Sequence, residues 1–130
     1  MIVIVAPGQG SQTPGFLEPW LDLEGAREQL GAISDAVGID LVAHGTTSDA
    51  DTIRDTKVAQ PLIVAAGLLT LSSLFADGRH EKVGGVAGHS VGEVTAAAAA
   101  GILSDTDAVA FVRERGRAMA DAAALEPTGM

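Results

Sequence analysis

The pentapeptide GHSVG at residues 88–92 constrains the fold of this chain more than any other stretch. A strand-like run at 82–87 precedes it, and a helix-like run at 93–100 follows it. A strand that turns directly into a helix bends so tightly that the positions flanking the central serine must be almost free of side chains. The N–H groups that begin the helix point at this turn, where they can stabilise a negatively charged oxygen. The pattern therefore predicts an exposed serine nucleophile, Ser90, that forms an acyl-enzyme.

The rest of the chain alternates strand and helix patterns. The apolar, β-branched run Ile2–Ala6 predicts a first strand that is buried on both faces, as in a parallel sheet. Gly45 is typical of a helix end, and Asp49 of a helix start. This order predicts an α/β fold with a parallel sheet, although two strands are too few to complete one. Amphipathic or apolar helix patterns cover 24–37, about 56–75 and about 105–123.

The bulk composition narrows the classes of function. The 130 residues suffice for one domain with a core, and the absence of cysteine excludes disulfides, thiolate metal sites and a thiol nucleophile. A net charge of −9 disfavours nucleic acid as a partner. The start of the chain lacks a basic leader, and the apolar runs at 62–71 and 94–103 are shorter than a membrane span. We therefore expect a cytoplasmic protein with neither a nucleic acid nor a membrane as partner.

Arg115 is the second residue whose position suggests chemistry. Steps of four and three residues along the last predicted helix place it on the apolar stripe. A guanidinium that faces a core is costly unless a carboxylate accompanies it. The carboxylate belongs either to a protein side chain or to a substrate that the planar guanidinium binds with two hydrogen bonds. Alternatively, the Arg115 side chain has no carboxylate partner and extends its charged end to water. The stripe contains Ala108, Phe111, Val112, Arg115, Met119 and Ala122, whereas Arg113, Arg117 and Asp121 lie on the opposite face.

The loop after the first strand is the third candidate. Gly8 and Gly10 allow the backbone to approach a ligand closely, and the loop leaves the carboxyl end of the strand, where ligands bind in α/β sheets. Serine enzymes with this elbow take one oxyanion donor from the residue after the nucleophile, here Val91, and the other from such a loop. Gln9 is the best candidate for the second donor. A phosphate-binding loop is the alternative, but the third glycine of a dinucleotide fingerprint and a Gly-Lys-Ser/Thr sequence are both missing.

None of the three histidines is placed to act as the base that a serine nucleophile needs. His89 is adjacent to Ser90, where neighbouring side chains diverge, so we expect it to line the pocket or contact the substrate. His80 precedes the second strand and lies at its wrong end, and His44 lies in an early helix or loop. In enzymes with this elbow the histidine follows the serine. No histidine follows Ser90 in this sequence, so we expect the base beyond Met130. The last five residues, 126–130, also have no character of a natural terminus.

These features together resemble the malonyl-CoA:acyl-carrier-protein transacylase family. The resemblance covers all 130 residues but less than half of a complete member. It implies that the chain is the first part of one acyltransferase domain, from its α/β-hydrolase-like large subdomain. The catalytic histidine region and a ferredoxin-like small subdomain would be absent. The matching motifs are Pro7–Gln12, Ala59–Pro61, Gly88–Glu93 and Arg113–Met119.

The resemblance also assigns roles to the candidate residues. Ser90 would carry the malonyl group, and the backbone N–H groups of Gln9 and Val91 would form the oxyanion hole. Arg115 would bind the free malonyl carboxylate, and His89 and Gln9 would contact the substrate. The family transfers malonyl from malonyl-CoA, which is a substrate, to the phosphopantetheine thiol of acyl carrier protein without a cofactor. The 130 residues alone would then be inactive.

Three other functions remain open from the sequence. A polyketide synthase acyltransferase domain shares the motifs, although a start at Met1 directly before the first strand favours a free-standing enzyme. A serine esterase or lipase shares the elbow, but a core-facing Arg115 argues against it. A non-catalytic binding module or an inert chain is consistent with the missing histidine.

Overall fold

The computed structural model describes residues 1–125. The prediction that residues 126–130 lack the character of a natural terminus concerns residues outside this range. Two strands and six α-helices follow each other, with short 3₁₀ turns at Glu18–Trp20 and Arg79–Lys82. The predicted α/β class is confirmed. The elements are β1 (Ile2–Ala6), α1 (Ala26–Val37), α2 (Leu41–Thr46), α3 (Ala50–Arg54), α4 (Thr56–Phe75), β2 (Val83–Gly88), α5 (Gly92–Ala99) and α6 (Asp105–Leu125).

The two strands pair in parallel, with Ala6 opposite Gly88 at their carboxyl ends. The His89 amide extends the pairing by donating a hydrogen bond to the carbonyl of Ala6 (3.0 Å). The loop that leaves β1 therefore lies beside the turn that leaves β2. This is the sheet edge at which ligands bind in α/β folds.

The prediction that β1 is buried on both faces is wrong for the described residues. Ile4 packs against the helical core and Ala6 is buried, but Val3 and Val5 are 54% and 70% exposed. The reason is geometric, because successive side chains of a strand point to opposite faces. Among residues 1–125, helices cover only the face that carries Ile4 and Ala6.

Helix α4 is the centre of the core. Leu62, Val64 and Ala65 are fully buried, and α6 packs along it. By length and composition alone, α4 could cross a membrane, and within the described part of the chain it is the one helix of which this is true. The expectation that every apolar run is too short is therefore wrong for this helix. Its buried side chains are those of a core helix in a folded protein.

The helix boundaries follow the sequence signals with one exception. Asp49 caps α3 by accepting a hydrogen bond from the Thr52 amide (2.8 Å), as predicted. Gly45 does not end a helix but lies inside α2, where it is buried against Leu17. A Cβ at Gly45 would overlap the Leu17 side chain, so close packing explains this glycine better than chain reversal.

Candidate active site

Ser90 occupies the strained turn that the pentapeptide predicts. Its φ is +53°, the only positive φ of a non-glycine residue among residues 1–125. A Cβ at Gly88 would overlap the backbone of Gly92, and one at Gly92 would overlap the carbonyls of Ala6 and Pro7. Both glycines are therefore required by the close approach of the elbow to itself and to β1. The result is an exposed serine between a strand end and a helix start.

The turn leaves backbone donors available next to Ser90. Its hydrogen bonds use the amides of His89, Gly92 and Glu93, which donate to Ala6, His89 and Ser90 carbonyls respectively. In the described residues, the amides of Gln9 and Val91 donate to no backbone carbonyl or side chain. Val91 itself is fully buried, which fixes its backbone at the start of α5. Gln9 and Val91 are the two residues that the sequence predicts as oxyanion donors, and that role stays a prediction.

The guanidinium of Arg115 contacts the serine hydroxyl directly. Its Nη2 donates to Ser90 Oγ (3.2 Å), and its Nη1 donates to Gln60 Oε1 (2.7 Å). The side chain is half-buried, and no Asp or Glu within residues 1–125 forms an ion pair with it. The alternative of a protein carboxylate as partner therefore fails for these residues. A cation held beside the nucleophile by neutral groups only is suited to an anionic substrate.

Gln60 is a site residue to which sequence reasoning assigned no role. It is 1% exposed, in the second turn of the apolar helix α4. Its Oε1 accepts from Arg115, and its Nε2 lies 3.1 Å from the sulfur of Met119. A buried amide needs partners, so a glutamine inside an apolar helix pattern was the signal that could have revealed it.

The face of α6 that carries Arg115 is narrower than the predicted apolar stripe. Ala108 and Val112 are buried and Met119 is half-buried, but Phe111 is 55% exposed and Ala122 is exposed. Phe111 and Ala122 were therefore assigned to the wrong face. The buried line continues through Gly116 instead, whose missing side chain lets α6 approach the Thr56 carbonyl of α4. The predicted exposure of Arg113, Arg117 and Asp121 is confirmed.

The loop after β1 is held by side-chain amides. Gln9 Nε2 donates to Thr56 Oγ1 (3.2 Å), at the start of α4, while its Oε1 is buried without a partner among the described residues. Gln12 Nε2 donates to the carbonyl of Ile53 (2.9 Å). The loop that carries Gln9 is thus attached to the α3–α4 corner as well as to β1.

The three histidines lie at the elbow, in the turn before β2 and in α2. His89 is exposed, and its ring lies against Gly8, so that a Cβ on Gly8 would meet Nδ1. His80 lies in the turn before β2, edge-on to Phe75, and His44 Nδ1 pairs with Ser48 Oγ. In the part of the chain that the structure describes, no histidine nitrogen hydrogen-bonds Ser90, and no group of three His, Asp or Glu side chains could hold a metal ion.

Comparison with known proteins agrees with this geometry. The malonyl CoA-acyl carrier protein transacylase of Mycobacterium tuberculosis is 53% identical over 134 aligned residues, which include 100% of this chain and 43% of the relative. That of Escherichia coli K12 is 34% identical over 122 residues, 91% of this chain and 38% of the relative. The chain thus spans less than half the length of these relatives.

Solved structures give the same result for the fold. The crystal structure of MCAT from Mycobacterium tuberculosis matches with a TM-score of 0.94 at 52% identity, over 99% of this chain and 43% of that one. A malonyl-transacylase in complex with a type II polyketide synthase acyl-carrier protein matches with a TM-score of 0.80 at 30% identity, over 92% of this chain and 39% of that one. The described elements therefore form part of the acyltransferase fold, as predicted.

The sequence profile of one family covers nearly the whole chain. The acyl transferase domain matches residues 3–130. This range contains the elbow, the loop after β1 and the helix that carries Arg115. The chain belongs to the acyl transferase domain family.

Proposed function

We propose that this chain supplies the nucleophile and the carboxylate-binding arginine of an enzyme that transfers malonyl from malonyl-CoA to the phosphopantetheine thiol of acyl carrier protein. The observation that carries the proposal is the contact of Arg115 with Ser90, because it sets a cation that has no carboxylate partner among residues 1–125 beside the acyl acceptor. The names of the relatives, which are malonyl CoA-acyl carrier protein transacylases, support the same substrates.

The first half-reaction acylates the serine. Ser90 Oγ attacks the thioester carbonyl while its proton passes to a histidine base that follows residue 130. The carbonyl oxygen becomes an oxyanion, to which the amides of Gln9 and Val91 donate. The carbon–sulfur bond then breaks, and coenzyme A leaves as a thiol that takes the proton from the base. The product is a malonyl ester of Ser90.

The second half-reaction reverses these steps with a different thiol. The phosphopantetheine sulfur attacks the ester carbonyl, the bond to Ser90 Oγ breaks, and the serine regains its proton. Throughout, Arg115 binds the free malonyl carboxylate with two parallel hydrogen bonds. In exchange for this carboxylate it releases Ser90 Oγ, to which it donates in the absence of substrate.

The remaining expectations belong to this proposal. Residues 1–130 are the first part of a single acyltransferase domain, inactive without the histidine. The reaction needs no cofactor, and we place the protein in the cytoplasm with no nucleic-acid or membrane partner, in line with its net charge of −9. The polyketide and esterase alternatives have less support, since the relatives at 53% identity carry the transacylase name and a cation beside the nucleophile argues against a neutral ester substrate.

A transfer assay tests the function. The complete gene product is mixed with labelled malonyl-CoA and acyl carrier protein that carries its phosphopantetheine. We expect label on the carrier protein, little free malonate, and neither with Ser90→Ala. Release of malonate at full rate without carrier protein would instead identify a hydrolase.

A further inference from the structure

The loop after β1 contains two side chains, Ser11 and Gln12, that the mechanism above does not use. Both turn back onto the backbone around Gln9. Ser11 Oγ donates to the carbonyl of Gly8 (2.9 Å), and Gln12 Oε1 accepts from the amide of Gly10 (2.9 Å). The two hydrogen bonds therefore hold the two peptide groups that flank the Gln9 Cα.

The bond from Ser11 fixes the direction of the Gln9 amide. The carbonyl of Gly8 and the N–H of Gln9 belong to one planar, trans peptide, so they point in opposite directions. Once Ser11 holds the carbonyl, the N–H has one orientation left. Gly8 cannot shift freely either, because the His89 ring lies against its Cα on the side where a Cβ would be.

Gln12 fixes the next peptide and attaches the loop to the helical body. Its Oε1 accepts a hydrogen bond from the Gly10 amide, and its Nε2 donates one to the Ile53 carbonyl (2.9 Å). Gly10 has a φ of +105°, a backbone conformation that glycine adopts readily. One side chain thus links the loop to the end of α3. An oxyanion hole is effective only when its donors are held in place before the charge develops.

We propose that Ser11 and Gln12 are positioning residues that hold the Gln9 N–H in the direction of the oxyanion. This inference rests on the proposed function, in which the Gln9 amide is an oxyanion donor. It goes further by assigning the donor's direction to two side chains that do not touch the substrate.

Neutral substitutions in the complete gene product test the proposal. Ser11→Ala removes one hydrogen bond, and Gln12→Met removes two at nearly constant volume. The matched controls are Ser72→Ala and Gln29→Met. The hydrogen bond from Gln29 Nε2 to Ser72 Oγ (2.9 Å) likewise joins two elements, α1 and α4, and involves neither the loop after β1 nor the elbow. Thermal unfolding midpoints establish that each variant is folded.

The readout is the rate of acyl transfer from malonyl-CoA and from acetyl-CoA. Loss of one oxyanion donor lowers kcat by about 10²–10³-fold, so a misdirected donor is expected to lower it by about tenfold. Because every thioester forms the same oxyanion, both acyl groups should slow in equal proportion, with KM unchanged and with both controls at the wild-type rate. Wild-type kcat in Ser11→Ala and Gln12→Met, or a loss confined to one acyl group, would overturn the proposal.

A fluorophosphonate separates this inference from the proposed function. The reagent phosphonylates the serine of serine enzymes: the serine oxygen bonds to phosphorus, fluoride leaves, and the phosphonyl oxygen gains negative charge in the transition state. It needs neither malonyl-CoA nor carrier protein. If the wild-type protein failed to transfer malonyl, the proposed function would be wrong, yet the labelling rate would still decide the inference. Labelling about tenfold slower in both variants supports it, and labelling at the wild-type rate overturns it. Ser90→Ala must remain unlabelled.

Discussion

The Nη2 atom of Arg115 lies 3.2 Å from the Oγ atom of Ser90, although 25 residues and the turn into α6 separate them in the chain. The same guanidinium is held by Gln60 on α4, so three elements meet at one hydroxyl group. The hydrogen bond orients the arginine before substrate arrives. In the proposed reaction, the guanidinium exchanges this bond for the substrate carboxylate, which it then binds beside the acyl acceptor.

Arg115→Ala is expected to lower the proposed preference for malonyl over acetyl groups. A hydrogen bond to a charged group contributes about 1.5–3 kcal/mol, so malonyl transfer should fall by about tenfold or more. Acetyl transfer should be unchanged or faster, because a neutral acyl group no longer leaves a guanidinium without a partner. Steady-state kcat/KM values with the two thioesters measure the ratio. Arg113→Ala, which removes an exposed cation of the same helix, is the control, and equal losses for malonyl and acetyl would contradict the assigned role.

Gln60→Glu is expected to block the arginine with a protein carboxylate. The new oxygen would lie where Gln60 Oε1 now accepts from Arg115 at 2.7 Å, and the resulting ion pair would compete with the substrate. KM for malonyl-CoA should rise about tenfold, while kcat/KM for acetyl-CoA stays within a factor of about two. Gln29→Glu adds the same charge on α1 and should change neither value. An unaltered KM for malonyl-CoA would mean that residue 60 does not compete with the substrate carboxylate for the Arg115 guanidinium.

Gly92→Ala is expected to destabilise the elbow itself. The added methyl group would overlap the carbonyls of Ala6 and Pro7, and overpacking of this kind typically costs about 1–3 kcal/mol. Denaturant unfolding measures the free energy of unfolding. Gly31→Ala in α1 adds the same methyl group with no atom within 4 Å, and should stabilise by about 0.5–1 kcal/mol instead. A Gly92→Ala protein as stable as Gly31→Ala would refute the close approach seen at this turn.

The free energy of unfolding is expected to depend on pH through the helix-capping residue Asp49. Its hydrogen bonds with Thr52, foremost from the backbone amide, lower the pKa of this carboxyl below its ordinary value. Because the pKa is lower in the folded state than in the unfolded chain, the stabilisation is fully present above the unfolded pKa and is lost as pH falls through the folded one. Unfolding of the wild type and of Asp49→Asn, which keeps an acceptor oxygen but does not titrate, should be compared at pH 7 and below pH 4. The advantage of the wild type should shrink at low pH, and an advantage that grew there would contradict the assignment.

Local sequence rules predicted the elbow because its requirements are local. Two glycines, a strand before and a helix after are all set within about twenty residues, and the positive φ of Ser90 follows from them. Arg115 was found by helical periodicity for the same reason. The predicted faces of α6 hold at Arg113, which is exposed, and fail at Phe111, which was predicted on the apolar face but is 55% exposed. Periodicity gives relative directions but not the width of the contact with α4.

What the sequence could not predict depends on contacts between distant segments. The partners of Arg115 are Gln60 and Ser90, 55 and 25 residues away, and nothing in a single sequence pairs them. The apolar pattern of β1 indicated burial of both faces, but it does not say which segments cover them. Gln60 and Gln12 lie in the matching motifs, but the sequence did not predict their roles because glutamine has many ordinary ones. Only a buried position or a backbone partner distinguishes these two.

The most direct test is the intact mass of the complete gene product before and after brief incubation with malonyl-CoA. We predict that the mass increases by one malonyl group, that peptide mapping locates the group on Ser90, and that acyl carrier protein removes it. With acetyl-CoA the wild-type protein should gain far less adduct, and Ser90→Ala should gain none with either thioester. A protein that remains unmodified by malonyl-CoA, or that acquires malonyl elsewhere than Ser90, would contradict the proposed chemistry.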